Sequence, residues 1–180
     1  MSIYEVMAAI FSLASVYLTA KESKWCWHIG IIGIIFYMIL FYQNSLYGNF
    51  YLQFLFIGQS LLGIKNWGKT KEELKPKWSK DILLLLSIFI LSLTIITITL
   101  DENFSKMPIM DGLTTTMSIF GMFLLAYKKI DAWLYWIVAD IIFVVMFYQS
   151  GLLVSAGTYS AFLILAIIGL FKWIKSSKTD

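Results

Sequence analysis

Seven apolar runs, separated by short polar breaks, occupy positions 3–20, 25–42, 47–67, 82–100, 108–127, 132–148 and 152–173. A bilayer core about 30 Å thick is spanned by about 20 residues of α-helix, and a helix satisfies its own backbone hydrogen bonds where no water is available. The runs take about three quarters of the 180 residues. What remains is too little and too scattered to build a soluble domain, so function must lie within or across the helices. The expected fold is an all-α membrane protein with seven transmembrane helices. Composition agrees, with 59% hydrophobic and 14% charged residues, against about 45–50% and about 25% in soluble domains. The first run does not read as a cleaved signal peptide, because it carries Glu5 near its start and follows no basic segment.

The lysines give a direction. The loops after the first, third and fifth runs and the C-terminal tail, with Lys65 and Lys172 at the run ends that lead into them, hold every lysine except Lys106, and there is no arginine. The positive-inside rule then places the C-terminus in the cytoplasm and the N-terminus outside. The net charge of +3 comes from these loop lysines rather than from a basic domain, so no nucleic-acid partner is expected. With one cysteine, Cys26, and one histidine, His28, neither an internal disulfide nor an all-protein zinc site is expected, and no cofactor or metal is implied. Trp25, Trp27, Trp67, Trp78 and Trp173 fall near the cytoplasmic ends, where interfacial anchoring is the simplest expectation.

The chain repeats itself at an offset of 106. Phe41-Tyr42-Gln43 falls on Phe147-Tyr148-Gln149, Trp27 on Trp133, Gly63 on Gly169, Trp67 on Trp173 and the acid Glu5 on the acid Asp111. Matches between apolar residues carry little weight in a membrane protein; tryptophan, glutamine and acid matches at one fixed offset carry more. The first three runs thus duplicate as the last three, and the fourth has no counterpart. Three spans cross to the far side and a single connector returns the chain, so the two repeats are parallel, as in some transporters that bind substrate near the midplane between repeats. The organisation expected is a 3+1+3 chain: residues 1–67 as the first three-helix repeat, 68–107 as a cytoplasmic loop plus connector helix, and 108–180 as the second repeat with a cytoplasmic tail. The connector carries only hydroxyl groups as polar side chains, which can bond back to their own helix.

Asp140 sits at the middle of the sixth run, eight residues from either end. A carboxylate at that depth costs at least about 2.5 kcal/mol to insert, and by default it marks a cavity or pathway. Trp133 and Trp136 precede it by seven and four residues, which places all three on one helical face. Two rings and an acid on one face form a receptor for a flat cation. Gln53 and Gln59 lie near the middle of the third run, where an amide must find a partner. Six residues apart, they point about 120° from one another, so one of the two can instead bond between helices. Tyr42, Gln43, Tyr148 and Gln149 close the outer ends of their helices at equivalent positions and are candidates for a symmetric outer gate. Glu5 and Asp111 stand in first turns, where negative charge suits the helix dipole.

Residues 63–70, Gly-Ile-Lys-Asn-Trp-Gly-Lys-Thr, satisfy the letter of a P-loop. A working P-loop follows a strand and opens a helix so that backbone N–H groups cradle phosphate, whereas this one closes a membrane helix. An ATP-driven pump is therefore not expected.

With these residues in place, the chain resembles the PnuC-type vitamin transporters. The resemblance rests on the 3+1+3 layout, on Leu46-Tyr47-Gly48 followed by Leu52-Gln53, and above all on Trp133-x-x-Trp136-x-x-x-Asp140, and it spans nearly the whole chain. It implies a homotrimer in the bacterial inner membrane, each protomer with its own midplane site, moving nicotinamide riboside by facilitated diffusion while cytoplasmic phosphorylation traps the product. It also implies that Trp133, Trp136 and Asp140 bind the substrate, with Gln53 and Gln59 beside them. Position 64 is Ile where an aromatic residue often follows the third-helix glycine, and position 140 is Asp rather than the Asn of some members. An acid suits a pyridinium but equally suits thiamine, the cation of a sister branch, so charge leaves both open as the small cationic vitamin. A membrane enzyme is not expected, because no His or Cys accompanies Asp140. A receptor or scaffold would use the charged loop from Gly68 to Asp81 as its partner surface, and a sugar carrier of related architecture would leave Asp140 little to do.

Overall fold

The computed structural model describes residues 3–43, 47–67, 76–78, 88, 107–149, 151 and 153–178. The described part is helical: α1 (Ile3–Ala20), α2 (Trp25–Gln43), α3 (Tyr47–Trp67), α4 (Pro108–Ala126), α5 (Ala132–Gln149) and α6 (Leu153–Lys178). The run at 82–100 lies outside the described residues except for Ile88. By length and composition, Ile3–Ala20, Ala132–Gln149 and Ser155–Lys178 are clear membrane spans, while Trp25–Leu40 and Gly112–Ala126 are shorter apolar stretches.

The first five helices end within one residue of the apolar runs. The last continues five residues beyond Trp173 to Lys178, because Lys172 and Lys175 are good helix formers and their stems carry charge toward the membrane surface while the backbone stays helical. Proline opens α4 at its first turn, where its missing N–H has no intrahelical acceptor to lose. Glu5 complements the dipole in the first turn of α1.

Each helix packs mainly on two others, in the order α1, α2, α3, α4, α5, α6 and back to α1, which closes a ring. Their directions follow from two hydrogen bonds. Trp67 Nε1, at the end of α3, donates to the Leu125 carbonyl near the end of α4 at 3.1 Å, and Trp173 Nε1 in α6 donates to the Thr19 carbonyl near the end of α1 at 3.1 Å. The C-terminal ends of α1, α3, α4 and α6 thus gather at one end of the ring, and α2 and α5 run back from it after tight loops. Each carbonyl also accepts a backbone N–H from the capping turn, Thr19 from Glu22 and Leu125 from Lys128, both at 2.9 Å, so the indole N–H uses the second lone pair of the oxygen and finds its own partner away from water.

Contacts recur at positions 106 apart. α1 ends with the Ser23 N–H bonding the Leu18 carbonyl and Glu22 at φ 56°, and α4 ends with Lys129 bonding Leu124 and Lys128 at φ 53°. Both ends are Schellman-type caps in which a residue with a Cβ occupies the left-handed region that glycine favours, a conformation costing about 1–2 kcal/mol. The two strained residues meet each other: Lys128 Nζ lies 2.8 Å from Glu22 Oε2, with Lys128 nearly buried, and the ammonium also sits 5.0 Å from the Trp67 ring centroid. Residue Lys77 docks beside this junction, donating its N–H to the Lys128 carbonyl and accepting from the Ile130 N–H at 3.1 Å.

Four tryptophans fill the same end. Trp27 meets Trp67 edge-on at 5.4 Å, Trp133 meets Trp173 edge-on at 5.3 Å, and Trp67 and Trp173 join the pairs at 5.7 Å. All four are buried. Interfacial anchoring therefore fails for Trp27, Trp67 and Trp173, which are core residues because their rings interlock between helices. Trp25 and Trp78 stay exposed. Trp173→Phe removes the donor and also shrinks a fully buried ring, so it should lower the thermal unfolding midpoint by the equivalent of at least about 0.5–1.5 kcal/mol for the hydrogen bond, with the cost of the void added. Trp67→Phe should match it, since it breaks the equivalent bond.

Candidate functional site

The ring encloses a cavity of about 500 Å³ lined by side chains from all six helices. That volume lies within the range of small-molecule sites. Asp140 lines it from α5 and is 3% exposed. Among the described lining residues it is the sole carboxylate, and no lysine accompanies it.

The stripe of α5 that carries Asp140 continues to Trp136 on one side and to Phe143 and Phe147 on the other, the spacing of one helical face. Tyr159 of α6 stands against both phenylalanines, with ring centroids 4.4 Å from Phe143 and 5.1 Å from Phe147, and Phe162 meets Tyr159 edge-on at 5.4 Å. An acid in a wall of rings gives a cation both counter-charge and quadrupolar attraction away from water. Phe143, Phe147 and Tyr159 are not among the site residues expected from the sequence, where Phe147 enters only as a match in the repeat. The two phenylalanines follow Asp140 by three and seven residues, so the periodicity that linked Trp136 to Asp140 could have found them. Tyr159 reaches the cavity from another helix and had no such signal.

The two motif tryptophans differ. Trp136 lies over Gly121, whose absent Cβ would stand 3.0 Å from its Nε1, and it is partly exposed to the cavity. Trp133 is 1% exposed, with its six-membered ring pressed on Gly169 and edge-on to Trp173. It lines the cavity from within the tryptophan cluster, so its packing leaves little ring surface for stacking on a ligand. The glutamines also part company. Gln53 lines the cavity and is buried. Gln59 departs from the expected site: it is not among the lining residues, and its Nε2 donates to the Ile119 carbonyl of α4 at 3.0 Å. The 120° separation along α3 sends one amide inward and the other into the α3–α4 seam.

Tyr42, Gln43, Tyr148 and Gln149 are exposed at the ends of α2 and α5 and do not line the cavity. Tyr42 packs on Phe50 at 5.8 Å, and Gln149 borders a shallow surface depression with Met107, Ile109 and Met110. Gly63 to Trp67 of the P-loop-like stretch are helical, and Gly63 packs on Trp27, which leaves no loop there to cradle phosphate.

Residues 2–175 match the family described as Nicotinamide mononucleotide transporter. The chain belongs to that family. It is a multi-pass membrane transporter rather than an enzyme. Relatives include the nicotinamide riboside transporters PnuC of Escherichia coli (strain K12) and Shigella flexneri, each 23% identical over 205 aligned positions covering 97% of this chain and 86% of the relative. The fold matches that in the crystal structure of the vitamin B3 transporter PnuC with a TM-score of 0.77, at 20% identity over 96% of this chain and 80% of that one.

Proposed function

We propose that the protein imports nicotinamide riboside across the bacterial inner membrane. The observation that carries this reading is Asp140, the one carboxylate among the described lining residues, set among aromatic rings in a cavity of about 500 Å³ within the ring of helices. A cationic pyridinium with a neutral ribose matches one acid, several rings and hydroxyl or amide groups such as Ser118 and Gln53. A mononucleotide would bring a dianionic phosphate beside Asp140 with no lysine in the described lining to meet it, a like-charge arrangement that low dielectric makes costly. The names of the relatives support the riboside.

In this reading the chain has seven spans arranged 3+1+3, with residues 1–67 and 108–180 as parallel repeats and 68–107 as loop and connector. The two sets of three helices rock about the fixed site, with the N-terminus outside and the C-terminus in the cytoplasm. Tyr42, Gln43, Tyr148 and Gln149 form the outer gate, the protein assembles as a homotrimer, and passage is facilitated diffusion made one-way by cytoplasmic phosphorylation. Trp136, Asp140 and Gln53 contact substrate, and Trp133 holds the floor of the site.

Titration of the purified protein with nicotinamide riboside, nicotinamide mononucleotide and thiamine, followed by heat or tryptophan fluorescence, tests the ligand. Saturable binding of the riboside with none of the mononucleotide is expected. Binding of thiamine alone would move the cargo to another cationic vitamin, and tight mononucleotide binding would overturn the charge argument. Gln53→Leu should weaken riboside binding about fivefold or more, the equivalent of one lost hydrogen bond, whereas Gln59→Leu should lower stability and leave affinity unchanged.

A further inference from the structure

Positions 106 apart face the cavity together. Ser12 and Ser118, Trp27 and Trp133, and Phe56 and Phe162 are identical pairs that all line it. Two further pairs line it with opposite character: Gly30 stands where Trp136 stands, and Ile34 stands where Asp140 stands. The helix-to-helix contact behind each also corresponds. On one side the Trp136 indole lies over Gly121, where a Cβ would be 3.0 Å from Nε1; on the other a Cβ at Gly30 would be 2.9 Å from the Ser15 Oγ. The second pairing places a small residue on both helices. Ser15 is fixed there, since its hydroxyl donates to the Cys26 carbonyl at 2.8 Å.

A cavity with both halves alike would set a second indole opposite Trp136 and a second acid opposite Asp140. Neither stands among the described lining residues, where those two places are held by Gly30 and Ile34. One carboxylate matches one positive charge, and an indole removed from the facing wall leaves room for a flat heterocycle of similar size. Resting on the reading of the site as a cationic-vitamin carrier, we infer that residue 30 is the specificity-determining position that sets how large a ring the cavity admits, with the bound ring lying between Trp136 and the backbone at Gly30. The family motif at positions 133, 136 and 140 does not mark it, because a determinant that works by having no side chain carries no chemical signature in sequence.

The test rebuilds the second half's pairing in the first. Ser15→Gly combined with Gly30→Trp copies Gly121 with Trp136, a pairing the fold already holds, and Ser15→Gly combined with Gly30→Ala or Gly30→Leu gives a graded series. Each is made in the full chain, checked for unchanged elution and thermal unfolding, and titrated with nicotinamide riboside against Ser15→Gly alone as the reference. Affinity is expected to fall in the order Ala, Leu, Trp, with the Leu variant losing at least about tenfold. A folded Leu or Trp variant within threefold of the reference would overturn the inference. Where the Trp variant does not fold, the Ala and Leu variants decide. If the wild-type chain binds thiamine in place of the riboside, the same series read with thiamine carries the test, so a wrong cargo and a wrong role for residue 30 give different results.

Discussion

Asp140→Asn is expected to reduce affinity for nicotinamide riboside at least about tenfold, or about 1.4 kcal/mol, while the unliganded protein becomes no less stable. The side chain is 3% exposed and faces the cavity, so its charge is poorly screened and its attraction for a bound cation is large. Truncating one member of a buried charge pair costs about 2–5 kcal/mol in binding, much of it from the charge left without a partner. Stability moves the other way. A carboxylate near the bilayer centre is carried at a cost of at least about 2.5 kcal/mol, and an isosteric amide removes the charge without opening a void. Titration calorimetry and thermal unfolding on the same preparation check both halves. Unchanged affinity would return Asp140 to a structural role, and a fall in stability without ligand would mean that the acid is held by partners rather than kept for cargo.

Much of the helical framework was legible because membrane insertion writes it directly into hydropathy. The ends of the first five described helices follow from where apolar residues stop. The offset of 106 was legible too, because tryptophan, glutamine and acid matches are rare by chance. What escaped was anything set by the closure of the ring. Trp67 and Trp173 close their apolar runs in sequence, and only the approach of α3 to α4 and of α6 to α1 makes them buried donors to Leu125 and Thr19. Trp133 and Trp136 share a face in sequence, yet Gly169 draws one into the core and Gly121 leaves the other at the cavity. Tyr159 reaches Phe143 and Phe147 across a helix boundary that periodicity along one helix does not see. The helical face supplied the acid, and packing decided which rings accompany it.

That same packing makes Gly169→Ala and Gly63→Ala the most disruptive small substitutions expected outside the cavity. A Cβ at Gly169 would fall 2.5 Å from the Trp133 ring, and one at Gly63 would fall within the van der Waals shell of the Trp27 ring. Neither ring has an easy escape, since each is at most 2% exposed and braced edge-on by a second tryptophan. Overpacking of this kind costs about 1–3 kcal/mol. Helix propensity alone would predict the reverse, because alanine in a helix interior is favoured over glycine by about 1 kcal/mol. Gly58 and Gly157 supply the control, as a Cβ at either meets nothing within 4 Å. Thermal unfolding of the four alanine variants should therefore split by sign, with positions 63 and 169 destabilised and positions 58 and 157 neutral or stabilised. Displacing Trp133 also shifts the floor under Asp140, so Gly169→Ala should weaken riboside binding as well as stability, while Gly157→Ala leaves binding unchanged. Four variants that move together would mean that the tryptophan cluster yields more easily than its burial implies.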